Sequence, residues 1–288
     1  TLEPRLAPAT LDVRTDAFFS AWSAVLEKLF GVGPRLRVTF AWDKKRARFT
    51  PAGASLQLQK ANALGTSALG APLLAAIPAD APLLAAAVLP DPGGLDAASA
   101  EEYFRAAGRR GAGAAHVPVA LVSLGMRAGT KDDKAQAMTV LLVPHAGDAD
   151  AAVRDLDALF GGHRTFEVHA SRACPGVVAL SPSKAALARV ADACAGRTPS
   201  LKQAPPAIVK TLTGGPVSAA AFLNLGGFLR DATLWGWQSE APPPAKGQEP
   251  PPPPAEVADA MRLLERLPMY AFAGRSQGDA VLMTGAEP

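Results

Sequence analysis

Two stretches of the chain follow one plan. Residues 84–110 (LAAAVLPDPGGLDAASAEEYFRAAGRR) and 138–164 (MTVLLVPHAGDADAAVRDLDALFGGHR) each pass from an apolar run through proline and a Gly/Asp turn into an Ala/Asp-rich helix pattern. Both leave through Gly-x-Arg, with Gly108 and Arg110 aligning with Gly162 and Arg164 at a constant offset of 54 residues. Residues 217–229 (VSAAAFLNLGGFL) echo the plan more weakly. An apolar strand feeding an amphipathic helix has few ways to pack, so the repeat constrains architecture while saying little about chemistry. It predicts an α+β fold: a largely antiparallel sheet of repeated strand–helix–strand units, with the helices packed on one face. Short connections at Pro175-Gly176 and Gln277-Gly278 favour hairpins over a doubly wound parallel sheet.

Residues 1–62 read as an N-terminal helix followed by a basic β-hairpin, and residues 63–288 as the repeated core; all 288 residues in one domain is the alternative. The helix is expected after Asp16 as N-cap, with Phe18, Trp22, Val25, Leu26 and Leu29 on one face. The hairpin (RLRVTFAW–DKK–RARFT) carries the one dense basic run, Lys44-Lys45-Arg46-Ala47-Arg48. Period-2 alternation accounts for these charges as outward positions, and with a net charge of only +3 a nucleic-acid partner is not expected. Residues 241–254 (APPPAKGQEPPPPP) form polyproline II that cannot join a sheet and read as an exposed spacer loop. A helix over 256–267 follows, with Val257, Met261 and Leu264 inward, and then a hairpin over 270–284.

Apolar residues make up 49% of the chain and aromatic ones only 6%, so the core must be built from close-packed small side chains with a few large anchors. The most apolar stretch, 68–89, is interrupted by Pro72, Pro78, Asp80 and Pro82, and no membrane span is expected. An opening of TLEPRL reads as a trimmed chain, so membrane contact is expected only through an N-terminal anchor that precedes it.

The two cysteines admit a geometric test. Cys174 lies in a turn before the β-type run 177–180, and Ser183 reads as the N-cap of a helix over 184–195. Leu187, Val190, Ala191 and Cys194 fall on one face of that helix. The strand travels outward about 13 Å and the helix returns about 16 Å, which brings Cys194 back toward Cys174. A disulfide and a pair of buried thiols are both open at this point. The disulfide would favour an oxidising compartment.

Searches for catalytic motifs fail. The Gly108–Gly113 stretch follows a helix pattern rather than a strand and lacks the third glycine of a dinucleotide loop. There is no GxxxxGK[ST] and no GxSxG. Ser181-x-x-Lys184 matches S-x-x-K, yet neither S-x-N nor K-T-G follows. His116, His145, His163 and His169 include no i, i+4 pair and none neighbours a cysteine pair, so neither a metal nor a cofactor site is expected. Trp235 and Trp237, at alternate positions of an expected strand, would share a face and are candidate ligand-facing residues, with core anchoring as the competing role.

Four segments, at 77–89 (IPADAPLLAAAVL), 176–196 (GVVALSPSKAALARVADACAG), 215–231 (GPVSAAAFLNLGGFLRD) and 270–285 (YAFAGRSQGDAVLMTG), together resemble uncharacterised exported or lipoprotein-like proteins of GC-rich bacteria. The resemblance implies an envelope location and an α+β fold, and carries no active-site residue across. Two function classes follow. One is a non-enzymatic envelope protein that binds a protein partner or an apolar ligand, or serves as a scaffold. The other is a hydrolase or transferase with a dispersed site, for which Ser67, His145 and Asp148 are the nominal residues.

Overall fold

The computed structural model describes residues 9–14, 35–43, 48–57, 64–88, 118–127, 136–144, 150, 167–240, 252–264, 266–277 and 280–286. Its strands form one sheet: β1 (Ala9–Arg14), β2 (Arg35–Asp43), β3 (Arg48–Gln57), β4 (Leu83–Val88), β5 (Pro118–Arg127), β6 (Gln136–Pro144), β7 (His169–Cys174), β8 (Val177–Ser181), β9 (Ala219–Asn224), β10 (Met269–Gln277) and β11 (Ala280–Ala286). The spatial order is β1-β2-β3-β11-β10-β9-β4-β5-β6-β8-β7, and each pairing is antiparallel. The helices are α1 (Ala71–Ala75), α2 (Lys184–Cys194), α3 (Pro206–Thr213), α4 (Leu225–Glu240) and α5 (Ala255–Leu264).

This sheet overturns the expected array of strand–helix–strand units with helices on one face. Along β8 and β9, consecutive residues from Val177 to Ser181 and from Ala219 to Leu223 are all buried. Successive strand residues point to opposite faces, so continuous burial requires cover on both. One face carries Leu84, Val122, Val140, Leu142, Ala179 and Phe222, packed with Leu73, Leu74 and Ile77 around α1, Leu187 and Val190 of α2, and Ile208 and Leu212 of α3. The opposite face carries Leu83, Leu121, Leu141, Leu180, Leu223, Tyr270 and Phe272, also buried. Helix α4 rests against β5, β9 and β10, and none of its described side chains belongs to the first cluster.

The two copies of the repeat are also joined differently. β4 pairs directly with β5, the next strand along the chain, whereas β8 inserts between β6 and β7. The helix patterns of both copies apart from Asp150, the proposed helix after Asp16, the turn at Lys44–Lys45 and residues 241–251 of the Pro-rich segment lie outside the described residues. In the third echo, the glycines make no turn. Asn224 ends β9 and its side-chain carbonyl accepts from the Gly227 amide at 3.0 Å, so Gly226 and Gly227 form the first turn of α4.

The N-terminal hairpin is continuous with the rest. β2 and β3 pair from Arg35↔Gln57 to Asp43↔Arg48 with a bulge at Thr39/Phe40, and β3 then pairs with β11. In this half of the sheet Val38, Phe40, Ala54, Val281 and Met283 are buried on one face, while Arg37 and Leu282 on the other are exposed. The β10–β11 hairpin is drawn tight at Gly274, where a Cβ would collide with the carbonyl of Leu282 and lie 2.7 Å from Met283 Cα.

Candidate functional site

The region from β7 to α2 is assembled by local rules. Gly176, at φ +75°, takes the left-handed conformation that turns β7 into β8. Ser181 at the end of β8 is fully buried. Its hydroxyl donates to the Thr139 carbonyl at 2.7 Å and accepts from the Ser183 amide at 3.0 Å. Ser183 is extended and its hydroxyl accepts from the Ala186 amide, which caps α2 as the sequence predicts. From there α2 runs back along β7, and its last residue meets the last residue of β7. Cys174 and Cys194 form a disulfide with Cα atoms 5.5 Å apart, and no free cysteine remains.

β7 is the outermost strand of the sheet, and among the described residues no strand lies beyond it. An open groove of about 700 Å³ follows this edge, lined by residues 168–171, by Lys184, Leu187, Ala188 and Ala191 of α2, and by Asp150. Four consecutive residues line it, so the groove follows the backbone edge of β7 and not just one face of the strand. Val168 and Leu187 are buried at its floor; Asp150 and Lys184 are exposed at its rim. His169 Nδ1 lies 3.6 Å from the Glu167 carboxylate.

A second polar cluster joins α2 to the inner strands and to α4. The Arg189 guanidinium donates to Asp80 Oδ2 at 2.7 Å and to the Leu124 carbonyl. Beside it, Asp231 on α4 has only 16% of its side chain exposed. Its Oδ1 accepts from Arg230 at 3.2 Å, while its Oδ2 is buried with no hydrogen-bond partner. Desolvation raises the Asp231 pKa above 3.8, against the opposing pull of Arg230 and Arg189. The carboxylate faces Gly125, which sits at φ +93° where the β5–β6 register breaks between Ser123 and Met126. A side chain at Gly125 would occupy the place of Asp231 Oδ2.

Of the nominal catalytic residues the structure describes Ser67. Ser67 forms an isolated bridge with Val217 and its hydroxyl donates to the neighbouring Ala68 carbonyl at 3.4 Å. His145 and Asp148 lie outside the described residues, as do His116 and His163. Trp235 and Trp237 are on α4, not on a strand. Two positions apart on a helix are about 200° apart around its axis, so the shared-face argument for a ligand-facing pair lapses. Trp237 is half-buried. Among the described residues no group of three or more His, Cys, Asp or Glu side chains could hold a metal ion, and no helix is long and apolar enough to cross a membrane.

Both walls of the groove are legible in the sequence, whereas the groove itself is not. The apolar face of α2 and the strand before Pro175 were legible, but that β7 ends the sheet follows from β8 inserting beside β6. Asp231 was signalled only as a lone carboxylate within the apolar run FLRDATLWGW. No family model, curated protein or solved structure matches the chain.

Proposed function

We propose that this chain is a non-enzymatic binding or scaffold protein of the bacterial cell envelope that engages a protein partner outside the cytoplasm. The observation carrying this reading is the Cys174–Cys194 disulfide. Disulfides persist in oxidising compartments and are kept reduced in the cytosol of most organisms. The resemblance of the four segments to exported proteins points the same way. The groove along β7 is open and mixed in polarity, which suits a polypeptide better than an apolar small molecule. An apolar ligand would be enclosed by largely hydrophobic walls.

The test is the thiol state of the native protein in the cells that make it. Thiols are blocked with a mass-tagged maleimide before lysis, and intact mass is read with and without prior reduction. The expected result is no tag without reductant and two tags after it, with the protein in the envelope fraction. Two tags without reductant would sink the envelope reading.

A further inference from the structure

The β7 edge raises a question of recognition. The inner side of β7 is hydrogen-bonded to β8, from His169↔Ser181 to Ser171↔Ala179. In an antiparallel strand the backbone N–H and C=O groups turn to alternate sides, so part of this set points away from β8 into the groove. A row of alternating donors and acceptors at strand spacing is matched by one kind of ligand, another extended backbone. Beyond Ser171 the register breaks before Cys174, which ends the regular edge and confines it to the segment that lines the groove. That segment spans about 13 Å, room for about four residues of added strand.

The far wall supplies the side-chain selectivity. Leu187, Ala188 and Ala191 of α2 offer shallow apolar contact to alternate side chains of such a strand. At the other end stands Lys184, the first residue of α2, in a first turn that holds no acidic side chain. Among the described residues no carboxylate lies within ion-pairing distance of it. The helix terminus adds positive potential of the same sign. The disulfide joins the ends of β7 and α2 at the opposite end, so both walls are held in place before any ligand arrives.

We infer that the β7–α2 groove binds an extended peptide as an added strand on β7, with a peptide carboxylate placed at Lys184. This rests on the reading of the chain as a binding protein and names the partner's chemistry. The added strand contributes affinity through its backbone, small apolar side chains face α2, and the acidic group fixes its position.

The test pans a random dodecapeptide display library over the disulfide-bonded protein, then titrates synthetic versions of the enriched peptides into ¹⁵N-labelled protein. Enriched peptides should carry Asp or Glu at a constant place and shift the amides of 168–171 and 184–191. K184E should weaken their binding tenfold or more, and replacing the peptide carboxylate by lysine should restore binding to K184E. This variant keeps the helix, because an acidic residue suits its first turn. Absence of enrichment, or shifts confined to other residues, would overturn the proposal. So would self-association through β7, seen as a dimer that an Ala170→Pro variant disperses. A failed selection with oxidised thiols in cells removes the groove and leaves the envelope reading standing. Peptide binding by a protein whose cellular thiols are free does the reverse.

Discussion

The ring of Phe40 lies edge-on against Tyr270, with centroids 5.3 Å apart, although β3 and β11 separate their strands in the sheet. At about 4.8 Å per strand step, a flat sheet would hold β2 and β10 about 14 Å apart. The contact therefore records a sheet that coils toward the face carrying both rings, in the sense that strand twist allows. Phe40 is 8% exposed and Tyr270 is 2% exposed, so both are anchors in a core of small residues. Phe40→Ala should cost about 3 kcal/mol in urea unfolding. In a double-mutant cycle with Tyr270→Leu, a coupling of about 1 kcal/mol is expected from the ring pair. A coupling of zero would mean that the two rings stabilise their strands separately.

Gly274 allows the same coil from the backbone side. A methyl group there would meet the Leu282 carbonyl and the Cα of Met283, neither of which can move without disturbing the β10–β11 ladder. Gly274→Ala should destabilise the protein by about 2 kcal/mol or more, the usual range for forced overpacking. Gly176→Ala, with open space around its Cβ, should cost less and only through its left-handed backbone. Thermal unfolding of the two variants side by side checks the ranking. Equal losses would refute the steric explanation.

The disulfide closes a loop of sequence separation 20. Chain-entropy reasoning assigns such a loop about 3 kcal/mol. Replacing both cysteines by serine should lower stability by roughly that amount and leave the cooperative transition intact, because β8 and α2 are also held by Ser181, Ser183 and the buried Leu187 and Val190. Hydrogen exchange should quicken first in α2. Uniform acceleration through β9 and β10 would contradict a local role.

Asp231 makes stability depend on pH in a defined direction. Its folded pKa lies above the ordinary 3.8, mainly through desolvation, so the native state binds this proton more tightly than the unfolded chain does. The destabilisation is absent below the unfolded pKa and complete once pH exceeds the folded one. Asp231→Asn cannot ionise and escapes it. The variant should gain on the wild type at neutral pH, with the gap narrowing as pH falls toward 3.8. Chemical denaturation at several pH values reads this, and a gap that widens on acidification would show that the Arg230 ion pair dominates instead.

What could be read in the sequence follows the range of the interactions involved. The cap at Ser183 and the turn at Gly176 depend on residues a few positions apart and both are found in the structure; of the expected α2 face Leu187 and Val190 are buried, joined by Ala186 and Ala193, while Ala191 and Cys194 are half-buried. The pairing of the basic hairpin and of β10 with β11 was readable for the same reason. Sheet order was not, because β3 meets β11 across more than two hundred residues and β8 displaces β7 from β6. Trp235 and Trp237 fall on a helix and not on the expected strand because β9 passes into α4 without a break, its cap being an asparagine hidden in an apolar run. Helix α3 has Pro206 and Gly214 at its ends, but at eight residues it is too short to show a clear period in the sequence. The groove depended on both kinds of information, a local helix and a remote strand order.

The order of strands also sets a sequence of assembly. β3 has two neighbours, β2 and β11, so the N-terminal hairpin stays detached from the remaining sheet until Ala280–Ala286 has been synthesised. A chain emerging end-first can close β7, β8, α2 and their disulfide while the first strands wait, since those pieces lie within 26 residues of one another. Truncation after α5 would therefore leave two separate sheet fragments, each with a newly bare edge. The β10–β11 hairpin acts as the keystone of the sheet, and the two halves join only once Ala280–Ala286 is in place.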